Sequence, residues 1–295
     1  MPDWDGQSKG SPLGYKILIF ILKHTRIQVA YFIVWFIALY YYFSTRKKDI
    51  RHFYRQVLSC GPVHAELSIF RNYFIFGKTL LDKFAVLSGT SEKFTYDHEG
   101  EQHIYDMANA GKGGIIIGAH AGNWEIAGHL LSRYNRPVHV LIYDGERSNL
   151  KELIEETTGT KSFHVIAVRD NDMEHIYEIK DALSKGDLIA MHGDRFRGNS
   201  KIHLCDFFGA KAKFPLGPYY LAAQFNVPFC FVHTMKDTNT HYHFYSSPPL
   251  KINFSNPKSK AEDIKSKSEL YARELEKMIK KYPLQWFNYY NFWNT

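Results

Sequence analysis

Cysteine is scarce in this 295-residue chain: three, Cys60, Cys205 and Cys230, far apart, odd in number and in no CxxC pair. A disulfide framework is excluded, and the spacing points to a reducing compartment. Other signatures are also missing. There is no GxSxG, no Walker P-loop and no HExxH, so a nucleophile elbow, a phosphate-cradling loop and a zincin site have no support. Gly111-Lys112-Gly113-Gly114 precedes a strand rather than a helix, and reads as a turn, not a dinucleotide fingerprint. Internal repeats and low-complexity stretches are absent.

Two excesses are present. The formal net charge is +7, and aromatic residues make up 16% of the chain. Residues 1–60 hold nine basic and three acidic side chains, a net +6, which leaves +1 for the remaining 235. A nearly neutral body argues against a broad nucleic-acid surface, and no nucleic-acid partner is expected. Eight aromatics fall in residues 31–43 and seven in 282–293. Tyrosine and tryptophan beside basic residues are what a membrane–water interface selects.

Residues 27–43 (IQVAYFIVWFIALYYYF) carry no charge. As a helix they extend about 25 Å, short of the ~30 Å hydrocarbon core. A late start and the lack of a small-x-small site after Phe43 speak against a cleaved signal peptide. Three readings stand: a single span with residues 46–55 on the cytoplasmic side, a monotopic anchor with both basic flanks on one side, and a buried core helix. The short length and paired basic flanks favour the monotopic anchor. Domain boundaries follow: residues 1–60 as membrane anchor and basic flank, residues 61–295 as the main domain.

Along that domain, apolar spacing predicts helices over 50–88 and 101–110. A β-branched run at 115–119 is of the buried parallel-strand kind. Helices over 124–134, 146–157, 172–184, 217–224 and 261–281 then interleave with strands at 138–143, 163–168, 187–191 and 227–233. Residues 241–245 read as an edge strand. The fold class is α/β, with a mainly parallel central sheet flanked by helices and an N-terminal hydrophobic membrane-anchoring helix.

The strongest chemical signal is Gly118-Ala119-His120-Ala121-Gly122-Asn123-Trp124-Glu125, where a buried strand ends at a histidine and a helix begins near Glu125. Ligands of open α/β sheets bind at carboxyl ends of strands. On one continuous helix His120 and Glu125 would diverge by about 140°. Placed on strand end and first helical turn, the carboxylate can fold back onto the imidazole, fix its tautomer and leave the other nitrogen as a general base. Gly122 would let substrate or backbone come close. A helix-capping histidine is the competing reading. A metal site from His120, Glu125 and His129 lacks ligands on one face, and no metal is expected.

These residues carry a resemblance. GAHAGNWE (118–125) resembles the HxxxxD/E motif of the bacterial lipid A late acyltransferases, the lauroyl and myristoyl transferases, and of the related mycobacterial phosphatidylinositol mannoside acyltransferases. His192-Gly193-Asp194-Arg195, Asp206–Ala212, Gly217-Pro218 and Val227-Pro228 resemble the family's following block. Tyr282-Pro283-Leu284-Gln285-Trp286-Phe287 resembles its C-terminal P-x-Q-W/Y segment.

The resemblance implies a membrane-associated O-acyltransferase at the cytoplasmic face of the bacterial inner membrane. It would move a fatty acyl group from a thioester to a hydroxyl of a lipid or glycolipid. His120 is the implied general base, oriented by Glu125. Loop amides near Gly122, or a nearby arginine, are the implied oxyanion donors. Gly122, Asn123, Trp124, Arg147, Asp194 and Arg195 are the implied substrate-binding residues. No cofactor is expected beyond an acyl-acyl carrier protein or acyl-CoA co-substrate, with acyl carrier protein and membrane lipid as partners.

Two departures bear on the acceptor: Asp144 stands where lipid A enzymes of the family commonly carry arginine, and the C-terminal segment lacks the family's basic ending. The opening MPDWDGQSKGSPLGY is similar to acyltransferases of aryl-polyene or flexirubin-type pathways, an alternative acceptor class. A non-catalytic lipid-binding protein of the same fold, and a thioester hydrolase, are the competing functions.

Overall fold

The computed structural model describes residues 25–87, 90–124, 126, 136–143, 164–169, 173–196 and 200–293. Glu125, His129, Asp144 and Arg147 lie outside them, as do the helix expected at 146–157 and most of that expected at 124–134.

Nine strands are described: β1 Thr95–Glu99, β2 Gly114–Gly118, β3 Val138–Tyr143, β4 His164–Val168, β5 Leu188–His192, β6 Ile202–Phe207, β7 Ala210–Pro215, β8 Phe229–Lys236 and β9 His241–Ser246. Seven form one sheet in the order β1-β9-β8-β2-β5-β3-β4. Every neighbouring pair is parallel except β8–β9. The helices are α1 Ile27–Ser44, α2 Lys48–His52, α3 Pro62–Leu87, α4 Glu101–Asn109, α5 Glu174–Ser184, α6 Gly217–Phe225 and α7 Pro257–Lys281.

The β-branched run of β2 shows why the sheet sits in the middle. Side chains alternate faces along a strand. Ile115 and Ile117 enter one core with Ile179 of α5, Ala222 of α6 and Ile264, Tyr271 and Leu275 of α7. Ile116 enters a second core with Ile27 and Val34 of α1, Leu81 and Phe84 of α3, and Ile104 and Met107 of α4. A strand buried on both faces must be apolar throughout, and Gly114–Ile117 is buried at every position.

Three expectations change. The helix expected over 50–88 is broken: α2 passes into a π-helical turn (Phe53–Val57), Ser59 takes a positive φ, and α3 starts at Pro62. Proline suits a first helical turn because it has no N–H to leave unbonded there. The strand at 241–246 is not at the edge, since β1 (Thr-Tyr-Asp-His-Glu) lies outside it. That strand is one-sided and polar, so no apolar run betrays it. Residues 202–215 form a separate antiparallel hairpin, turned at Phe208-Gly209 with both φ positive.

α1 runs antiparallel along α3. Tyr31 meets Asp82, Val34 meets the backbone at Gly77, and Tyr42 meets Glu66. A Cβ on Gly77 would stand 2.6 Å from Val34 Cγ1, so glycine there admits the close approach. Ile50, Phe53 and Tyr54 sit in the same core as β2, so the described part of residues 1–60 is packed onto the α/β body.

Candidate active site

β2 and β5 are adjacent and parallel, and their last residues, Gly118 and His192, are directly paired. The Gly193 N–H donates to the Gly118 carbonyl (2.9 Å), carrying the pairing past the strand ends. His120 and Asp194, each two residues beyond, therefore leave the sheet side by side, 74 positions apart in sequence.

Asp194 holds His120 at two points. The His120 backbone N–H donates to Oδ2 (2.9 Å), and ring Nδ1–H donates to Oδ1 (2.8 Å). The Asp194 side chain is 2% exposed and that of His120 23%, so the carboxylate is enclosed while the ring is partly exposed. Burial alone would raise the Asp194 carboxyl. The His120 ring, its hydrogen bond and the Arg195 and His192 charges outweigh it, and the carboxyl lies well below the usual range. On the other side of the ring, Nε2 lies 3.0 Å from His192 Nδ1. His120, His192 and Asp194 bring possible ligand atoms within 4.8 Å of one another. Among the described residues they run in series, Asp194 at Nδ1 of His120 and His192 at Nε2, which is hydrogen-bond geometry.

The loop after His120 is clamped from two directions. Residues 285–287 pair with it as a short strand: Gly122 N–H donates to Gln285 O (2.8 Å), and Phe287 N–H donates to His120 O (2.9 Å). On the other side Asn123 N–H donates to Thr234 O of β8 (2.7 Å). Gly122 has φ +67°, and a Cβ there would sit 2.1 Å from Thr234 O, so only glycine fits. The Gln285 side chain bonds the backbone of Lys236 in both directions, which gives the Pro-x-Gln-Trp-like segment a physical task.

Several expected site residues therefore have other duties. Gly122 admits protein backbone, not substrate. The amides of His120, Gly122 and Asn123 are committed to protein acceptors and do not form an oxyanion hole. Asn123 is buried, and its side chain donates to Thr79 O and Tyr242 Oη and accepts from the Ile126 N–H. Asp194, expected among the substrate-binding residues, is enclosed against His120. Trp124 is half-buried and packs edge-on against the His192 ring, with centroids 4.8 Å apart. Arg195 donates to Phe287 O (2.8 Å) and lies over the Tyr290 ring, tying the C-terminal segment to the site.

His192 was missed in the sequence reading. Its signal in the sequence is a strand-end histidine two residues before an aspartate; that its strand lies beside the strand of His120 comes from the sheet order alone.

The C-terminal aromatics pack against the π-helical turn after α2 and against α3, where Tyr73 meets Tyr289 and Phe76 meets Phe287. Phe53 lies 4.8 Å from Trp286 and stacks on Trp293. The outer face of α1 is apolar and bare: Phe32 is 65%, Tyr40 68% and Phe43 74% exposed, continued by Val63 and Leu67 on α3.

A strand-end histidine held by a buried carboxylate, in a mainly parallel α/β fold, has the geometry of a base and its orienting group. The chain belongs to the family described as bacterial lipid A biosynthesis acyltransferase, whose model matches residues 73–295. It is similar to the phosphatidylinositol mannoside acyltransferase of Mycolicibacterium smegmatis, 24% identical over 122 residues, which are 41% of this chain and 40% of that protein. The match thus spans less than half of that relative's length. A crystal structure of the 1-acyl-sn-glycerophosphate acyltransferase PlsC from Thermotoga maritima aligns over 90% of this chain and 97% of that one. Its identity is 14% and its TM-score 0.41.

Proposed function

We propose that this chain is a membrane-associated O-acyltransferase that moves a fatty acyl group from a thioester to a hydroxyl of a lipid, glycolipid or related acceptor. The observation that carries this reading is the His120–Asp194 pair at adjoining strand ends. Family membership and the mannoside acyltransferase match support the reaction class.

In the mechanism, Asp194 accepts the Nδ1 proton and leaves a lone pair on Nε2. An acceptor hydroxyl bonds to Nε2, which takes its proton as the oxygen attacks the thioester carbonyl. The carbonyl pair moves onto oxygen. When the tetrahedral adduct collapses, the C=O re-forms, the C–S bond breaks and the thiolate takes the proton back from Nε2. Asp194 orients the ring in this mechanism; Glu125, which the motif implies for that task, lies outside the described residues. The donor is an acyl carrier protein or CoA thioester, with the basic flank at 46–55 available to an acidic carrier.

The α1 face supports seating on the cytoplasmic side of a bacterial inner membrane. So large an unbroken apolar surface is unfavourable in water. α1 lies along α3 for its whole length instead of projecting away, which favours the monotopic reading over a span.

A second reading concerns the acceptor. Residues 282–293 carry no Lys or Arg, Phe292 is buried, and Trp293 Nε1 donates to Phe207 O. An aromatic segment packed inward supplies no cation of its own for a phosphorylated sugar, and Arg195 beside it is turned onto Phe287 O and the Tyr290 ring, which favours a neutral acceptor, such as a pigment-type polyene or a non-phosphorylated glycolipid.

The test uses the full chain in phospholipid vesicles with labelled acyl-carrier-protein and CoA thioesters, and lipid extracts as acceptors. Acyl ester formation that His120→Ala lowers at least about 10³-fold is expected. Equal release of free fatty acid with and without acceptor would instead assign a hydrolase.

A further inference from the structure

His192 is the side chain of the site that the reaction above leaves unused. It ends β5, opposite Gly118, and its ring meets His120 edge-on with centroids 4.0 Å apart. Trp124 packs on the same ring. Its Nδ1 is 3.0 Å from His120 Nε2, the nitrogen the acceptor needs.

The proton positions follow from the partners. Asp194 takes the Nδ1–H of His120, so in neutral His120 Nε2 carries the lone pair. The hydrogen of the His120–His192 bond must then come from His192 Nδ1. His192 Nε2 is buried and has no hydrogen-bond partner among the described residues. With the proton on Nδ1, that nitrogen buries a lone pair. The other tautomer would bury an unbonded N–H and also set two lone pairs against each other.

We infer that His192 is a catalytic residue whose Nδ1–H caps the general base in the free enzyme and donates to the oxyanion during transfer. This rests on the acyltransferase reading. The acceptor hydroxyl displaces the cap from Nε2. The released N–H is then left beside the acceptor oxygen, and the oxygen that becomes negative is only two bonds from it. The amides of His120, Gly122 and Asn123 do not compete for this role, because they are spent on Asp194, Gln285 and Thr234. His192 keeps its proton throughout: His120 takes and returns the only proton that moves. Burial first, then the neighbouring His120 ring and Arg195, hold the His192 ring well below the usual imidazole range against the opposing pull of Asp194, so it remains a neutral donor. The cap also shields Nε2 from water when no acceptor is bound.

Steady-state kinetics on the full chain in vesicles test this. His192→Ala is expected to lower kcat about 10²–10³-fold, the effect of removing one oxyanion donor. KM for the acceptor should stay level or fall, since the competitor for Nε2 is gone. His192→Asn, whose Nδ2–H falls near the lost Nδ1–H, should recover at least about tenfold of that loss. Should the alanine variant fail to fold by circular dichroism, His192→Gln replaces it, because its donor falls beyond the Nδ1 position. Nitrogen-15 NMR of the imidazoles should find His192 protonated at Nδ1. The inference is overturned by a kcat within threefold of wild type in His192→Ala, by no recovery in His192→Asn, or by the His192 proton on Nε2. Wild-type transfer with an indifferent His192 sinks only this inference, whereas absence of transfer by wild type removes both.

Discussion

At the residue scale, the base role proposed for His120 depends on what each of its nitrogens touches. Asp194→Asn keeps the shape but can present its NH2 to Nδ1, which puts the ring proton on Nε2 and removes the base. The expected loss in kcat is about 10³–10⁴-fold with little change in thermal stability, read by turnover and melting together. Equal activity of the variant would return the orienting role to Glu125. His120 was legible because a polar, titratable residue directly follows an apolar strand. Asp194 was legible as a neighbour of the cleft, but its pairing with His120 was not. That pairing depends on β2 and β5 being adjacent and ending at one level, and no local pattern encodes strand order.

Two element-scale features give stability predictions. The β2 exit loop is wedged between β8 and residues 285–287, so Gly122→Ala drives a Cβ against the Thr234 carbonyl in a left-handed backbone. A loss of about 2 kcal/mol or more is expected in urea unfolding, together with lost activity as His120 moves. The second feature is a buried polar knot. Lys236 of β8 pairs with Asp82 of α3, while Tyr31 of α1 and Tyr242 of β9 bond the same carboxylate. Burial shifts both charges towards neutrality, raising Asp82 and lowering Lys236 against their mutual attraction. Such a pair adds little net stability but is costly to break singly. Asp82→Ala should cost about 3–5 kcal/mol, whereas Asp82→Leu with Lys236→Met should cost much less. Additive losses in a double-mutant cycle would refute the coupling.

For the whole molecule, pH and membrane behaviour are the informative readouts. His233, within β8, has both ring nitrogens buried without partners among the described residues. Burial, partly offset by Asp194, pushes it down to about 4. Its unfolded value is about 6.5, so between those limits the unfolded chain binds a proton that the folded chain refuses. Stability is therefore full above about pH 6.5 and falls as the pH drops towards 4, by at most about 3 kcal/mol from this residue. Urea midpoints at pH 7.5 and 5 should show the slope, and His233→Leu should flatten it. Flotation with anionic vesicles addresses the outer face of α1: replacing Phe32, Phe36, Tyr40 and Phe43 by serine should release the protein while the Tyr31 tie keeps it folded. Undiminished flotation would remove the anchor reading.

Taken alone, the sequence determined the alternation of buried strands and amphipathic helices, the apolar segment with its basic flanks, and the histidine at a strand end. Each is a local pattern of period, charge or turn chemistry, and local patterns survive without the fold. It also determined that Ile264, Tyr271, Leu275, Met278 and Ile279 share one face of α7, all of them buried. The tertiary structure decided the rest. It set β1 outside β9, bent residues 285–287 back to clamp the His120 loop, turned Asn123 and Gly122 from substrate contacts into structural ones, and placed Asp194 and His192 on opposite nitrogens of one ring. These are contacts between residues tens to hundreds of positions apart. They are chosen by which strands pair and where each one ends, a balance of packing that no single segment carries in its own sequence.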